Sequence, residues 1–314
     1  MTTTPVRYAP RIAPPGHLDA REWPHRSSRF LALHHDFGLR TNVPEVAAYF
    51  GRAFVDLSAR GEPGHWYSIV DRGTATKSRY GLYYGDERIS LAGQLPRVVS
   101  MLLWHVNQEV VLTARDELVC LHAAGAVYRD VGIVFPAPME SGKTTLVAGM
   151  VRAGARYLTD EAVAIEPATL IARPFPKPLS LDPGSWPVLP EMRRDEDAFS
   201  PRQWQVPVTS IRPDAVADPV RPRLLVAPKY VAGATTVLEP VSGAQMLVTL
   251  AESTFHLLAK GRRNLTTLGR LAETSGCYRL TVGSLDDACA AVQRLADDIM
   301  AAEPEVRAGV SSRC

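Results

Sequence analysis

Residues Ala137 to Thr145, "APMESGKTT", set a glycine, a lysine and two adjacent hydroxyls directly after an apolar run, "GIVFP", and directly before a helical one, "LVAGMVRAG". The spacing is that of a phosphate-binding loop with alanine at its first position. Gly142 lets backbone approach phosphate oxygens without a side chain in the way, and the N–H groups opening the next helix add donors at its positive end. Lys143 is a mobile point charge for the outer phosphates, and the Thr144 hydroxyl suits Mg²⁺, which prefers oxygen ligands. Glu140, Ser141 and Thr145 complete the candidate nucleotide contacts. A carboxylate at Glu140 is unfavourable inside an anion cradle unless it turns outward or meets a cation. The alternative is a strand-to-helix turn that matches by chance and leaves Lys143 merely solvated.

Transfer of a phosphoryl group to an alcohol also needs a carboxylate for the metal and a group that accepts the hydroxyl proton. Asp160 and Glu161, in "YLTDEAVAI", follow Lys143 by one predicted helix. Adjacent acids in an apolar run are costly without a purpose, which is either this chemistry or capping a turn between two short strands. His122, in "CLHAAGAV", precedes the loop by one hairpin and taken alone reads as a satisfied core histidine. Arg173 and Lys177, in "ARPFPKPLSL", either supply positive charge to a transferring phosphoryl group or stand exposed on a proline-stiffened loop.

The elements that must position these residues follow from periodicity. "RFLALHHDFGL", "HWYSIVD" and "RYGLYYGDERISL" predict strands and "VPEVAAYFGRAFVDLSARG" a helix, giving a small α+β lobe. Leu95 to Thr113 predicts an amphipathic helix with Val98, Leu102, His105, Val106 and Glu109 on one face. "LVCLHAAGAVYRD" and "VGIVFPAP" predict an antiparallel hairpin, and "TTLVAGMVRAG" a helix stopped at Gly154. "ARYLTDEAVAIEP" and "LIARPFPKPLSL" predict a second hairpin. Asp182 to Pro222, rich in proline and charge, reads as a long loop or partly mobile insertion. "PRLLVAPKYV" and "CYRLTVG" predict further strands, and "SGAQMLVTLAESTFHLLAK", "RRNLTTLGRLAETSG" and "LDDACAAVQRLADDIMA" helices. Two hairpins beside the loop favour a mixed, largely antiparallel α/β sheet over a doubly wound one.

The 314 residues suffice for one large domain or two modest ones, and a net charge of only +2 gives no field toward nucleic acid or an anionic membrane. Cys120, Cys277, Cys289 and Cys314 form no CxxC pair and no zinc spacing, which fits reduced thiols in a cytoplasmic protein. The longest apolar run carries too many polar residues for a membrane span. The expected organisation is an exposed arm over 1–28, the small lobe over 29–117, the phosphate-loop domain over 118–302 and a frayed tail over 303–314.

Together, "LHAAGAVYRDVGIVFPAPMESGKTTL", "GARYLTDEAVAI" and "RPFPKPLSL" resemble the kinases related to HPr kinase/phosphorylase, whose phosphate-loop fold is shared with phosphoenolpyruvate carboxykinase. The lobe before Leu95 resembles that of a branch associated with modified peptides and small molecules. The resemblance implies Mg²⁺-dependent transfer of the γ-phosphoryl of ATP to a hydroxyl, often of serine, on a precursor peptide or a free hydroxy-amino acid. It also implies assembly into homo-oligomers. Gly142, Lys143 and Thr144 match the nucleotide and metal positions. Asp160 matches the acid that deprotonates the acceptor, and His122 the histidine beside it. Glu161 stands where a second aspartate is usual, with an implied metal role. The stretch by which HPr kinases recognise HPr is not seen, so HPr is a doubtful acceptor. Two other readings stay open: a nucleotide-gated peptide-binding or scaffold protein, and an ATPase without acceptor.

Overall fold

The computed structural model describes residues 17–74, 79–193, 199 and 202–311. Its first sheet is built from β1 (His25–Arg26), β2 (Arg29–Ala32), β3 (His35–Thr41), β4 (Ser58–Ala59), β5 (Trp66–Asp71), β6 (Tyr80–Tyr84) and β7 (Glu87–Ala92), with α1 (Pro44–Ala53) between β3 and β4. The order is β4-β2-β3-β5-β6-β7, β1 pairs with β3, and the β3–β5 pair is parallel. The run from Arg29 to Leu39 is therefore not one strand. It turns at Leu33, whose φ is 52°, and the run "RYGLYYGDERISL" likewise folds back at Gly85. Helix α2 (Leu95–Ala114) lays Val98, Leu102 and Val106 on this sheet, as its period predicts.

The second half carries β8 (Val119–Leu121), β9 (Ala123–Tyr128), β10 (Val131–Pro136), α3 (Lys143–Arg152), β11 (Arg156–Thr159), β12 (Val163–Ile165), β13 (Ala172–Arg173), β14 (Leu179–Leu181) and β15 (Trp204–Val206). It continues through β16 (Pro222–Tyr230), β17 (Val237–Pro240), α4 (Gly243–Glu252), α5 (Gly261–Thr274), β18 (Gly276–Val282) and α6 (Leu285–Ser311). A six-stranded sheet has the order β11-β9-β10-β16-β18-β17, with β10–β16 and β16–β18 parallel and the other pairs antiparallel. Strands β13-β12-β8 form a separate three-stranded sheet, and β14 pairs with β15. The mixed, largely antiparallel α/β architecture is as expected. The β9–β10 hairpin turns at Arg129 and Asp130, both with positive φ, and Gly154 ends α3 with φ 103°.

Several expectations need correction. Residues 17–28 are not an exposed arm: Leu18 is buried, Trp23 Nε1 donates to its carbonyl at 2.9 Å, and Asp19 pairs with Arg40 at 2.6 Å. Residues 1–16 lie outside the description. The segment after Asp182 is not a featureless loop, because it supplies β15 and stacks Trp186 on buried Trp204 with ring centroids 4.9 Å apart. The "DEDAF" end of its charged run is undescribed apart from Phe199. Helix α6 runs past residue 302 to Ser311, through a stretch that includes Pro304 and Gly309. Strand β17 falls in "TTVLEP", where no element is predicted.

The core under α2 does not end at residue 117: it continues through Leu118, Cys120, Ala162, Ala164 and Phe175. The Thr209 N–H, which donates to half-buried Asp56 at 3.3 Å, and the ring pair Tyr49–Phe199 add further links between the two halves. Helix α6 packs against α3 at Gly149, where a Cβ would stand 2.7 Å from Leu285 Cδ1 and 2.9 Å from Cys289 Sγ. Cys120, Cys277 and Cys289 are free thiols within the fold. Among the described residues, no helix is long and apolar enough to cross a membrane.

Candidate functional site

The apolar runs around His122 and around Asp160-Glu161 each break where the chain passes from one sheet to the other. β9 pairs with β11 in the large sheet, while β8 pairs with β12 in the small one. Residues 122 and 160–162 therefore face each other at the fork. Thr159 shapes the bend, its hydroxyl accepting the N–H groups of Glu161 and Ala162 at 3.2 and 3.3 Å. His122 is fixed by its own N–H, which donates to the Ser253 carbonyl at 2.6 Å, and by an edge contact with Phe255.

The loop leaves β10 at the same end of the molecule. Gly142 caps α3 with φ 90°, a conformation that favours glycine, and Glu140 has φ 62° with its side chain in solvent. The outward carboxylate resolves the conflict expected at Glu140. Lys143 is 5% exposed and folds back to donate to the carbonyls of Ala137 and Pro138 at 2.8 and 2.7 Å. Burial lowers its pKa to about 8, opposed by the charges of Glu161 and Asp160. Thr145 Oγ1 is 2.7 Å from the hydroxyl of buried Ser185, and Thr144 is half-buried on the first turn of α3.

Asp160 is almost fully enclosed. Oδ1 accepts from Tyr157 OH at 2.7 Å and pairs with Lys177 Nζ at 2.7 Å, while Oδ2 accepts the Ser180 N–H at 3.2 Å. Lys177 also donates to the Pro178 carbonyl and to Ser180 Oγ, each at 3.0 Å, and Ser180 Oγ donates to Gln205. Glu161 is more open. Its Oε1 lies 3.8 Å from His122 Nδ1, so the histidine stands beside Glu161 and not directly against Asp160. Burial raises the pKa of Glu161, helped by Asp160 and opposed by Lys177 and Lys143. Burial, then Lys143, lowers that of His122, so the ring is neutral at pH 7.

No family model matches the chain, and no curated protein does. Among solved structures, the HPr(Ser) kinase/phosphatase from Coxiella burnetii is similar to it, with a TM-score of 0.33 and 12% identity over 59% of this chain and 98% of that one.

The fork and loop bring together Lys143, His122, Asp160, Glu161 and Lys177, which influence one another electrostatically. Arg173 is not among them. It is half-exposed and paired with Glu166 on the β12–β13 turn, Nε donating at 2.6 Å, which corrects the expectation that both cations of "ARPFPKP" reach the site. Lys177 is buried beside Asp160, and the alternative of an exposed cation does not apply to it. The sequence reading missed Tyr157, Ser180, Ser185 and Gln205. Tyr157 carried a signal, a hydroxyl three residues before the acids, whereas Ser185 and Gln205 lie in the stretch read as loop.

For a metal, Thr144 and Glu161 offer hard oxygen donors, the set Mg²⁺ accepts when phosphates and water complete its octahedron. Among the described residues no cluster of three or more His, Cys, Asp or Glu forms a cage for a metal by itself. Ser141 Oγ is buried without a hydrogen-bond partner at the mouth of the loop, a position suited to a phosphate oxygen. The residues fit a Mg-triphosphate.

Proposed function

We propose that the chain binds a Mg-nucleoside triphosphate, ATP in the simplest case, on the loop from Ala137 to Thr145 and transfers its γ-phosphoryl group to a hydroxyl. The acceptor in this reading is serine-like, on a peptide or a free hydroxy-amino acid. The observation that carries it is the meeting of Lys143, His122, the Asp160–Glu161 pair and Lys177 at the N-terminus of α3. A loop alone would support binding; acids and a second lysine beside it support transfer.

When bound, Mg²⁺ would supply charge neutralisation at the phosphate oxygens, with Thr144 and Glu161 as its protein donors. Gly142 and the first N–H groups of α3 cradle the phosphates, and Lys143 exchanges its two carbonyl partners for phosphate oxygen. The acceptor proton passes to Asp160 as the new O–P bond forms and the bond from phosphorus to the leaving diphosphate oxygen breaks. Lys177, which neutralises Asp160 in the resting chain, is the cation that turns toward the transferring group as the triphosphate competes for it. His122 stands uncharged beside Glu161, its Nδ1 3.8 Å from Oε1, within reach of that carboxylate once substrate is bound.

The test is incubation with Mg-ATP and a panel of serine peptides and free hydroxy-amino acids, read by mass spectrometry. Lys143→Ala and Asp160→Asn are each expected to lower transfer by about 100-fold or more. Asp160→Asn should still bind nucleotide. Undiminished transfer in that variant overturns the base assignment, and release of inorganic phosphate with every acceptor favours the ATPase.

A further inference from the structure

Strand β16 runs parallel to β10 and ends beside the loop that β10 feeds. Its last residue, Tyr230, is tied to that loop. The Tyr230 N–H donates to the Ser141 carbonyl at 3.2 Å, and a Cβ built on Gly142 would stand 3.5 Å from the Tyr230 Cβ. The side chain is nevertheless 58% exposed, and among the described residues it has neither a hydrogen bond nor a ring partner. The strongly exposed aromatics described are Trp104 and Tyr230, and Trp104 sits on α2, in the other half of the chain.

An aromatic ring left in water at the rim of a phosphate loop, with its backbone pinned to the loop, is suited to one kind of partner. Phosphates place the charged end of a nucleotide at the N-terminus of α3, and the other end is a flat heteroaromatic base that must lie within a nucleotide's length of it. We propose that Tyr230 is the base platform of this site, its ring stacking on the base of the bound nucleoside triphosphate. This rests on the nucleotide site proposed above and goes beyond it by naming how the base is held. Every base has a π-face, so a stacking platform without polar base contacts takes purine triphosphates with little discrimination. The ligand class is a nucleoside triphosphate and not ATP alone.

Three ligands separate the terms: Mg-ATP, Mg-GTP and Mg-tripolyphosphate, which has the phosphates but no base. Titration calorimetry of the full chain is expected to show Tyr230→Ala weakening both nucleotides about 5- to 150-fold, the range for removing one base stack. Tyrosine-to-phenylalanine replacement at the same position keeps the ring and should stay within about twofold, while tripolyphosphate should bind both variants as it binds the parent. Because the ring is exposed, the alanine variant should melt with the parent. Full ATP affinity in Tyr230→Ala overturns the platform, as does an equal loss for tripolyphosphate, which would place the effect in the loop. A parent chain that binds none of the three ligands overturns the nucleotide reading itself, a result distinguishable from either.

Discussion

At the scale of the residue, Lys143 is where burial and charge oppose each other most directly. Burial holds its pKa to about 8, well below the usual lysine range, despite Glu161 and Asp160 nearby. A bound polyphosphate favours the ammonium. Below about pH 8 the free chain already carries that charge; above it, binding must bring in a proton. Triphosphate affinity is therefore expected to fall as the pH rises past about 8, with calorimetry at about pH 9 in two buffers of different ionisation enthalpy showing proton uptake approaching one. Lys143→Arg, whose guanidinium stays charged, should abolish that uptake. Affinity independent of pH across this range would mean that Lys143 does not meet the phosphates. This residue, Gly142, His122 and the acidic pair were legible because their types and their positions beside apolar runs carry chemical meaning. Arg173 and Lys177 were not separable, since the prolines between them break the two-residue alternation that would assign each to a face. Tyr157 and Ser180 converge on Asp160 from two strands, with Gln205 behind Ser180 on a third, and beyond the Tyr157 hydroxyl three residues before the acid no local spacing encodes that.

At the scale of the element, α5 fastens the end of α2. Helix α2 ends at Ala114 without a basic residue in its last turn, and the carbonyls of its C-cap and of the turn into β8 need donors from elsewhere. Arg263 of α5 supplies them, donating to the carbonyls of Asp116 at 2.6 Å, Arg115 at 2.9 Å and Leu118 at 3.2 Å. Arg263→Ala is expected to cost about 1–3 kcal/mol, measured as a lower urea midpoint. Lysine in its place should recover only part, because a single ammonium lacks the fork that reaches three carbonyls. An unchanged midpoint in the alanine variant would show that water satisfies those carbonyls equally well. Helix positions were readable from period, and Gly154 gave a true stop, but the runs read as single helices to Gly61 and to Lys260 end at Ala53 and at Glu252, where no glycine or proline marks the stop. The broken strands were not readable: both halves of "CLHAAGAV" and of "YLTDEAVAI" are buried on both faces, so a run that changes sheets looks like one that does not. Strand β17 escaped because it lies at a sheet edge, mostly exposed, without an apolar alternation to announce it.

At the scale of the whole molecule, the two halves share a core and are expected to respond to acid together. His35 is buried against Phe37, with ring centroids 5.2 Å apart, and both its ring nitrogens lack a hydrogen-bond partner among the described residues. His105 meets the Tyr67 hydroxyl at 2.9 Å on the same side of the sheet. Burial lowers the pKa of His35 to about 4, reinforced by His65 and His105 and opposed by Asp36, and burial also lowers that of His105 to about 4. Unfolded, each would take its proton near pH 6.5. Between these values the unfolded chain binds more protons than the folded one, so stability is complete above about pH 6.5 and is lost progressively toward pH 4. For His35 the loss is on the order of 3 kcal/mol, a large part of the stability of an ordinary domain. The cluster containing Phe37 and Tyr67 runs on through α2 to Cys120 and Ala162, beside the fork that holds His122 and Glu161. Acid weakening of the first sheet should therefore release the site as well. Thermal melts between about pH 7.5 and 5 should show a falling midpoint, with nucleotide-binding capacity lost in the same transition. His35→Phe, which keeps a ring on Phe37 and removes one of the two titrating groups, should make that fall shallower and leave the share of His105. A variant that declines as steeply as the parent would locate the acid sensitivity in other groups, and a site that outlasts the first sheet would show that the shared core does not couple the halves.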